Sequence, residues 1–314
     1  MVIAIVLMVV MDQFVFKGER PHIRKMKEDY RAEQARKAAI IEDLLPPPVN
    51  FSIDMNDIEP AAGFSFAPKA LKPEIMQKEA PKKTRKEAPI KKAKGAKIAI
   101  VIDDMGVSRK QSLRVMDLPE PMTLAFLPYA DGVREMAAKA SPKKHELIIH
   151  APMEAMSKSV PYGGMALKVG MNGLDFSKEF NRMVQAFDGY VGVNNHMGSR
   201  LTQDKRSMVL LMAHLKQRGL YFLDSKTIGS SVAAETAAQA GLRYAERDVF
   251  LDHEETPEFV ARALRNVERI AREQGSVIAI GHPKSVTINA LKAWMPKAKA
   301  AGYEFVFVSQ VLER

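Results

Sequence analysis

Hydrophobic positions fall into three regimes along the chain. The first is a continuous apolar run, Val2 to Met11, extended past Asp12 and Gln13 by Phe14, Val15 and Phe16. A bilayer span needs about 20 apolar residues and a signal-peptide core about 7–15. The run therefore predicts a signal anchor or signal-peptide remnant over 1–18; a short buried helix fits the same pattern. The second regime, 19–95, opens with a charged stretch compatible with a helix. It passes Pro46-Pro47-Pro48 and ends in PKKTRKEAPIKKAKG. So few large apolar residues cannot offset the entropy of ordering, so this part reads as an extended linker.

The third regime, 96–314, alternates short apolar runs with amphipathic stretches. Strands are predicted at 98–102, 123–127, 147–149, 190–193, 221–223, 277–280 and 304–308, with a weaker one near 242–244. Helices are predicted at 174–187, 205–218, 257–274 and 286–300. In the third of these, Val260, Ala263, Leu264, Val267, Ile270 and Ala271 recur at helical spacing. Thr256 and Pro257 supply a cap and a first-turn proline, and Gly275 a stop. Strand–helix alternation predicts a parallel sheet, either rolled into a closed or nearly closed (β/α) barrel or open and doubly wound.

Charge adds little to this picture. The net charge is +10, and most of the surplus lies in 17–97, where 19 Lys and Arg face 12 Asp and Glu. A nucleic-acid partner wants a concentrated basic face on the folded unit, and this chain puts its excess elsewhere. No G-x-G-x-x-G or P-loop pattern follows a strand, so no nucleotide site is expected. The chain has no cysteine, which excludes disulfides, thiolate ligands and thiol nucleophiles.

In a parallel barrel, chemistry gathers where strands end. Asp103 and Asp104 follow the first run. His150 follows the third, and Asn194, Asn195 and His196 the fourth. Asp224 and Ser225 follow 221–223, and His282 follows 277–281. Imidazoles and carboxylates on one rim suit hydrolysis assisted by a divalent ion, most readily zinc. A carboxylate can take a proton from water, and an imidazole can give one to the leaving group. Plainer readings fit single residues. Asp104 or Asp224 could cap a helix, and turn chemistry could explain the asparagines around His196. His22, His145, His214 and His253 read as surface or helix-face residues. Met165 and Met171 lie in YGGMALKVGMNG, which is either a loop over the site or a plain connection.

Seven fragments carry a resemblance when taken in order: IAIVIDDMG, TLAFLPYA, HELIIHAPMEA, VGVNNHMGSRLT, YFLDSKT, ERDVFLD and IAIGHP. Together, over about 96–314, they resemble the divergent polysaccharide deacetylases, a branch of the NodB-like carbohydrate esterases. The resemblance implies a deformed (β/α)7 barrel. It implies a catalytic base at Asp103, a metal ligand at Asp104 and a general acid at His282. The superfamily's His-x-x-x-His ligand pair becomes His150-Ala-Pro-Met-Glu154. The third ligand is then His196, with Glu154 in reserve; Asp224 and Ser225 are possible further site residues. The superfamily's Arg-Pro-Pro-Tyr segment is absent, and NNHMGSR stands there. The activity implied is zinc-dependent removal of acetyl groups from an envelope glycan. The protein would be exported to the periplasm or held at the inner membrane by its first residues. The alternative is a silent barrel that binds glycan or protein as an envelope scaffold.

Overall fold

The computed structural model describes residues 95–140, 145–157 and 164–313. The apolar segment, the charged stretch and the linker predicted over 1–95 lie outside the described residues, apart from Gly95. Among the described residues, no helix is long and apolar enough to cross a membrane.

Among the described residues, nine strands form one sheet: β1 (Lys97–Met105), β2 (Thr123–Phe126), β3 (Glu146–Met153), β4 (Tyr190–Met197), β5 (Tyr221–Asp224), β6 (Tyr244–Glu246), β7 (Val249–Phe250), β8 (Ser276–Gly281) and β9 (Glu304–Val306). Seven α-helices of the described residues connect them: α1 (Arg109–Met116), α2 (Val133–Ala140), α3 (Gly173–Val184), α4 (Lys205–Gln217), α5 (Ala233–Gln239), α6 (Pro257–Gln274) and α7 (Ser285–Ala300). All strand pairings are parallel. The order is β6-β5-β4-β3-β2-β1-β8-β7, with β9 beside β1.

That order shows the sheet is rolled. β6 and β7 sit at opposite ends of it, yet only Arg247 and Asp248 separate them in sequence. Three peptide units reach at most about 11 Å. The two edges must therefore come round to each other, giving a curled, incompletely paired α/β barrel. Below, β9 pairs with Lys97–Ala99 of β1, while β2 begins pairing only at Val101. Farther on, Glu313 and Tyr244 exchange backbone hydrogen bonds at 2.7 and 3.1 Å. The C-terminal stretch thus crosses from β1 to β6 and floors the barrel.

Strand alternation sorts side chains into two cores. Ile98, Ile100 and Ile102 of β1 pack outward with the helices, as do Ile149, Val193, Phe222, Val277 and Ala279. Ala99, Val101, Ile148, Tyr221, Leu223, Ile278 and Ile280 fill the interior. The Tyr221 ring takes the room beside Gly192, its partner in the β4–β5 register. A Cβ there would lie 2.6 Å from that ring. Around the barrel, α6 has the predicted bounds. The Thr256 hydroxyl accepts a hydrogen bond from the Phe259 amide, Pro257 opens the helix, and Gly275 turns left-handed at φ 85°.

Candidate metal centre

The interior parity carries through to the upper strand ends. On β1, positions 99 and 101 point inward, and Asp103 continues the series. On β3 it is His150, on β4 Asn194 and His196, and after β8 His282. Asp104 falls on the outward parity, but its backbone is left-handed, with φ 53°. For a residue with a Cβ this costs about 1–3 kcal/mol and persists only where the surroundings enforce it. It swings the carboxylate onto the same rim.

Three ligand-type atoms then converge. His150 Nε2 lies 3.1 Å from His196 Nδ1 and 3.3 Å from Asp104 Oδ1, and His196 Nδ1 lies 3.1 Å from Asp104 Oδ1. Among the described residues, these three form the group able to hold an ion. Zinc bonded at about 2.0–2.1 Å in tetrahedral geometry spaces its ligand atoms about 3.3 Å apart, and the three edges match. Asp104 Oδ1 is also buried and accepts no well-aligned hydrogen bond. Such an atom is costly in a protein interior unless something else satisfies it. The donor set, two imidazoles and a carboxylate, therefore fits a zinc-like ion.

Other residues frame the triad. Asn194 is fully buried. Its amide oxygen lies 2.8 Å from His150 Nδ1, and its nitrogen donates to Asp103 Oδ1 at 2.8 Å and Ser225 Oγ at 3.1 Å. The second Asp103 oxygen stands 3.7 Å from His150 Nε2. Opposite, His282 Nε2 lies 3.9 Å from Asp104 Oδ2, and its Nδ1 lies 2.9 Å from Asp252 Oδ1. Asp252 is fully buried, and its other oxygen accepts from the His282 amide and the Thr287 hydroxyl. Arg247 donates to the Ser225 and Lys226 carbonyls, with its guanidinium over Phe250.

The charges follow from this packing. Burial pushes the Asp103 carboxyl above its ordinary value, although His150, His282 and Asn194 pull the other way. Burial also disfavours the Asp104 anion, but the approach and charge of two imidazoles hold it far below the usual carboxylate range. Burial opposes protonation of His150, and Asp103 and Asp104 outweigh it. The same contest at His282 goes to Asp252 and the neighbouring carboxylates, so that its pKa is raised.

The structure thus gathers Asp103, Asp104, His150, His196 and His282. Glu154 stands apart. Its Oε2 accepts from the Val169 amide at 2.8 Å and its Oε1 from Arg200 at 2.9 Å, so it anchors a loop. Asp224 also turns away, bonding the Lys226 amide and the Ser231 hydroxyl. Ser225 touches the rim only through Asn194 and Asn195. Neither Asp104 nor Asp224 caps a helix; Ser108 caps α1. His145 is buried, contrary to its expected surface position, with Nε2 3.2 Å from the Met116 carbonyl. Met165 and Met171 pack partly buried against the outer core. Sequence reasoning missed Asn194, whose type suggested only a turn, and Asp252, visible just as the last letter of ERDVFLD.

Residues 100–312 match the family model described as divergent polysaccharide deacetylase, and the chain belongs to that family. An uncharacterized protein of Haemophilus influenzae is 37% identical over 199 residues, which cover 63% of this chain and 70% of that one. The Escherichia coli protein YibQ, also uncharacterized, is 37% identical over 196 residues, or 62% of this chain and 61% of its own. A solved structure, of an uncharacterized Agrobacterium tumefaciens protein, superposes with a TM-score of 0.68 at 28% identity, covering 71% of this chain and 92% of that one.

Proposed function

We propose that this barrel is a metal-dependent deacetylase acting on an acetylated carbohydrate of the cell envelope. The observation that carries the reading is the triangle of Asp104 Oδ1, His150 Nε2 and His196 Nδ1, whose edges match tetrahedral zinc ligation. An ion held there would polarise the acetyl carbonyl and acidify a water.

The chain's own residues divide the proton work. Asp103 keeps one oxygen bonded to Asn194 and turns the other toward the triad, where it can take the proton of the attacking water. His282 presents Nε2 from the other side, and its raised pKa keeps a proton available for the departing sugar atom. Asp252 fixes the tautomer by accepting from Nδ1 and stabilises the imidazolium. Family membership points to an acetylated carbohydrate as substrate. The apolar run of Val2 to Met11 supports export, with the barrel held outside the inner membrane.

The test is acetate release from acetylated amino-sugar oligosaccharides by the zinc-loaded chain. Release that stops on chelation and returns with zinc supports the reading. Binding of the oligosaccharides with no acetate, zinc bound, would replace it with the scaffold alternative.

A further inference from the structure

His150 and Asn194 are register partners on adjacent strands, so the backbone sets their amide and imidazole side by side. All the amide's polar atoms are used. An amide nitrogen donates and an amide oxygen accepts. The nitrogen faces two oxygens, Asp103 Oδ1 and Ser225 Oγ. Reversing the amide would set its oxygen against the Asp103 carboxylate and leave its nitrogen against the imidazole. The observed orientation is therefore the one that satisfies all four groups. In the neutral ring it requires the proton of His150 to sit on Nδ1, leaving the Nε2 lone pair to face Asp104 and His196.

We propose that Asn194 is the positioning residue of the centre. Through one amide it selects the ligating nitrogen of His150 and the rotamer of Asp103. The inference rests on the metal-centre reading. Its reach is specific: the same side chain ties a ligand and a proton acceptor that come from different strands. Aspartate at 194 keeps the acceptor for His150 but loses the donor to Asp103. Leucine loses both while filling the space. Hydrogen-bond partners of metal ligands are worth about 10- to 100-fold in metal affinity or activity.

Two measurements on the full-length chain test this. The first is nitrogen NMR of histidine-labelled, metal-free protein, at a pH above the raised His150 pKa so that the ring is neutral. His150 is expected as the Nδ1–H tautomer in the wild type, and as a mixture or the opposite tautomer in Asn194→Leu. The second is zinc affinity by competition with a chromophoric chelator. Asn194→Leu should weaken binding by about 10- to 100-fold, and Asn194→Asp, which keeps the acceptor on His150, should weaken it clearly less. Circular dichroism confirms that each variant is folded.

A neutral wild-type His150 with its proton on Nε2 and not Nδ1 would overturn the proposal with no variant needed. So would zinc binding by Asn194→Leu equal to wild type, or equal losses in both variants. A wild type that binds no zinc but shows the Nδ1–H tautomer would sink the metal reading and leave the tautomer assignment standing.

Discussion

His150 and His196 bring Nε2 and Nδ1 to within 3.1 Å of each other, with their rings nearly perpendicular at 72°. They come from neighbouring parallel strands. His150 pairs with Asn194, and Pro152 pairs with His196. One imidazole thus reaches up and the other back to share a point with Asp104. Two ring nitrogens so close cannot both carry hydrogen.

An ion at that point binds the folded chain and not the unfolded one, so it stabilises by mass action. Zinc at 100 times its dissociation constant adds about 2.7 kcal/mol, or roughly 5–10 °C in Tm for a domain of this size. Wild-type protein should gain this and lose it to chelator. His196→Ala should show no gain. Glu154→Gln should gain as the wild type does, since Glu154 is committed to Val169 and Arg200. Calorimetry with metal analysis checks all three. Loss of the ion from Glu154→Gln would restore the ligand set that sequence alone left open.

Asp103→Asn should bind zinc as tightly as wild type and lose turnover by about 10²- to 10⁴-fold, the usual share of a general base. In the proposed ligand set the oxygen belongs to Asp104, and Asp103 stands beside it. Parallel loss of metal and activity would make Asp103 a ligand.

The pH dependence of His282 has a definite sign. Its pKa is raised above the ordinary 6.5. In metal-free protein, the stability it adds is complete below the unfolded value and is lost as pH climbs through the raised one. Activity needing its proton falls over that same climb. Asp252→Asn removes the partner that holds the imidazolium, so the basic limb of the pH–rate profile should move to lower pH. Histidine proton NMR should show His282 titrating lower by the same shift. An unmoved limb would assign the acid to another group.

Gly192→Ala should cost about 1–3 kcal/mol, the usual penalty of overpacking. The added Cβ would meet the Tyr221 ring at 2.6 Å, and Tyr221 is pinned by its hydroxyl donating to Glu146 at 2.8 Å. Urea denaturation measures it. His150 and His196 lie two and four residues farther along β3 and β4 than this level, so zinc affinity should hold in whatever fraction remains folded.

How far the sequence announced this structure varied with the physics behind each element. β1 and β8 are buried on both faces, so they read as unbroken apolar runs. The α6 helix declared itself by its stripe and both caps. In contrast, α5 reads AAETAAQ and β7 is two residues long, so neither shows a period. At the rim, residue type and position after an apolar run pointed to Asp103, His150 and His282. The choice between Glu154 and His196 was not local. It depends on strand register and on a left-handed residue at Asp104, neither written in spacing. Asn194 and Asp252 act by touching other side chains, and a linear chain does not show that.

The place of β1 in the sheet also has a consequence for synthesis. It takes β2 on one side early, but its other neighbours, β8 and β9, are translated last. At about 5–20 residues per second, roughly 10–40 s separate the emergence of Lys97 from that of its partner Ser276. Through that interval β1 has an unsatisfied edge, which invites mispairing. Asp103 and His282 lie on either side of the seam that closes at the end. The nascent chain holds Asp103, the proposed base, long before it acquires His282, the proposed acid, so the proposed centre is complete only once the final strands arrive.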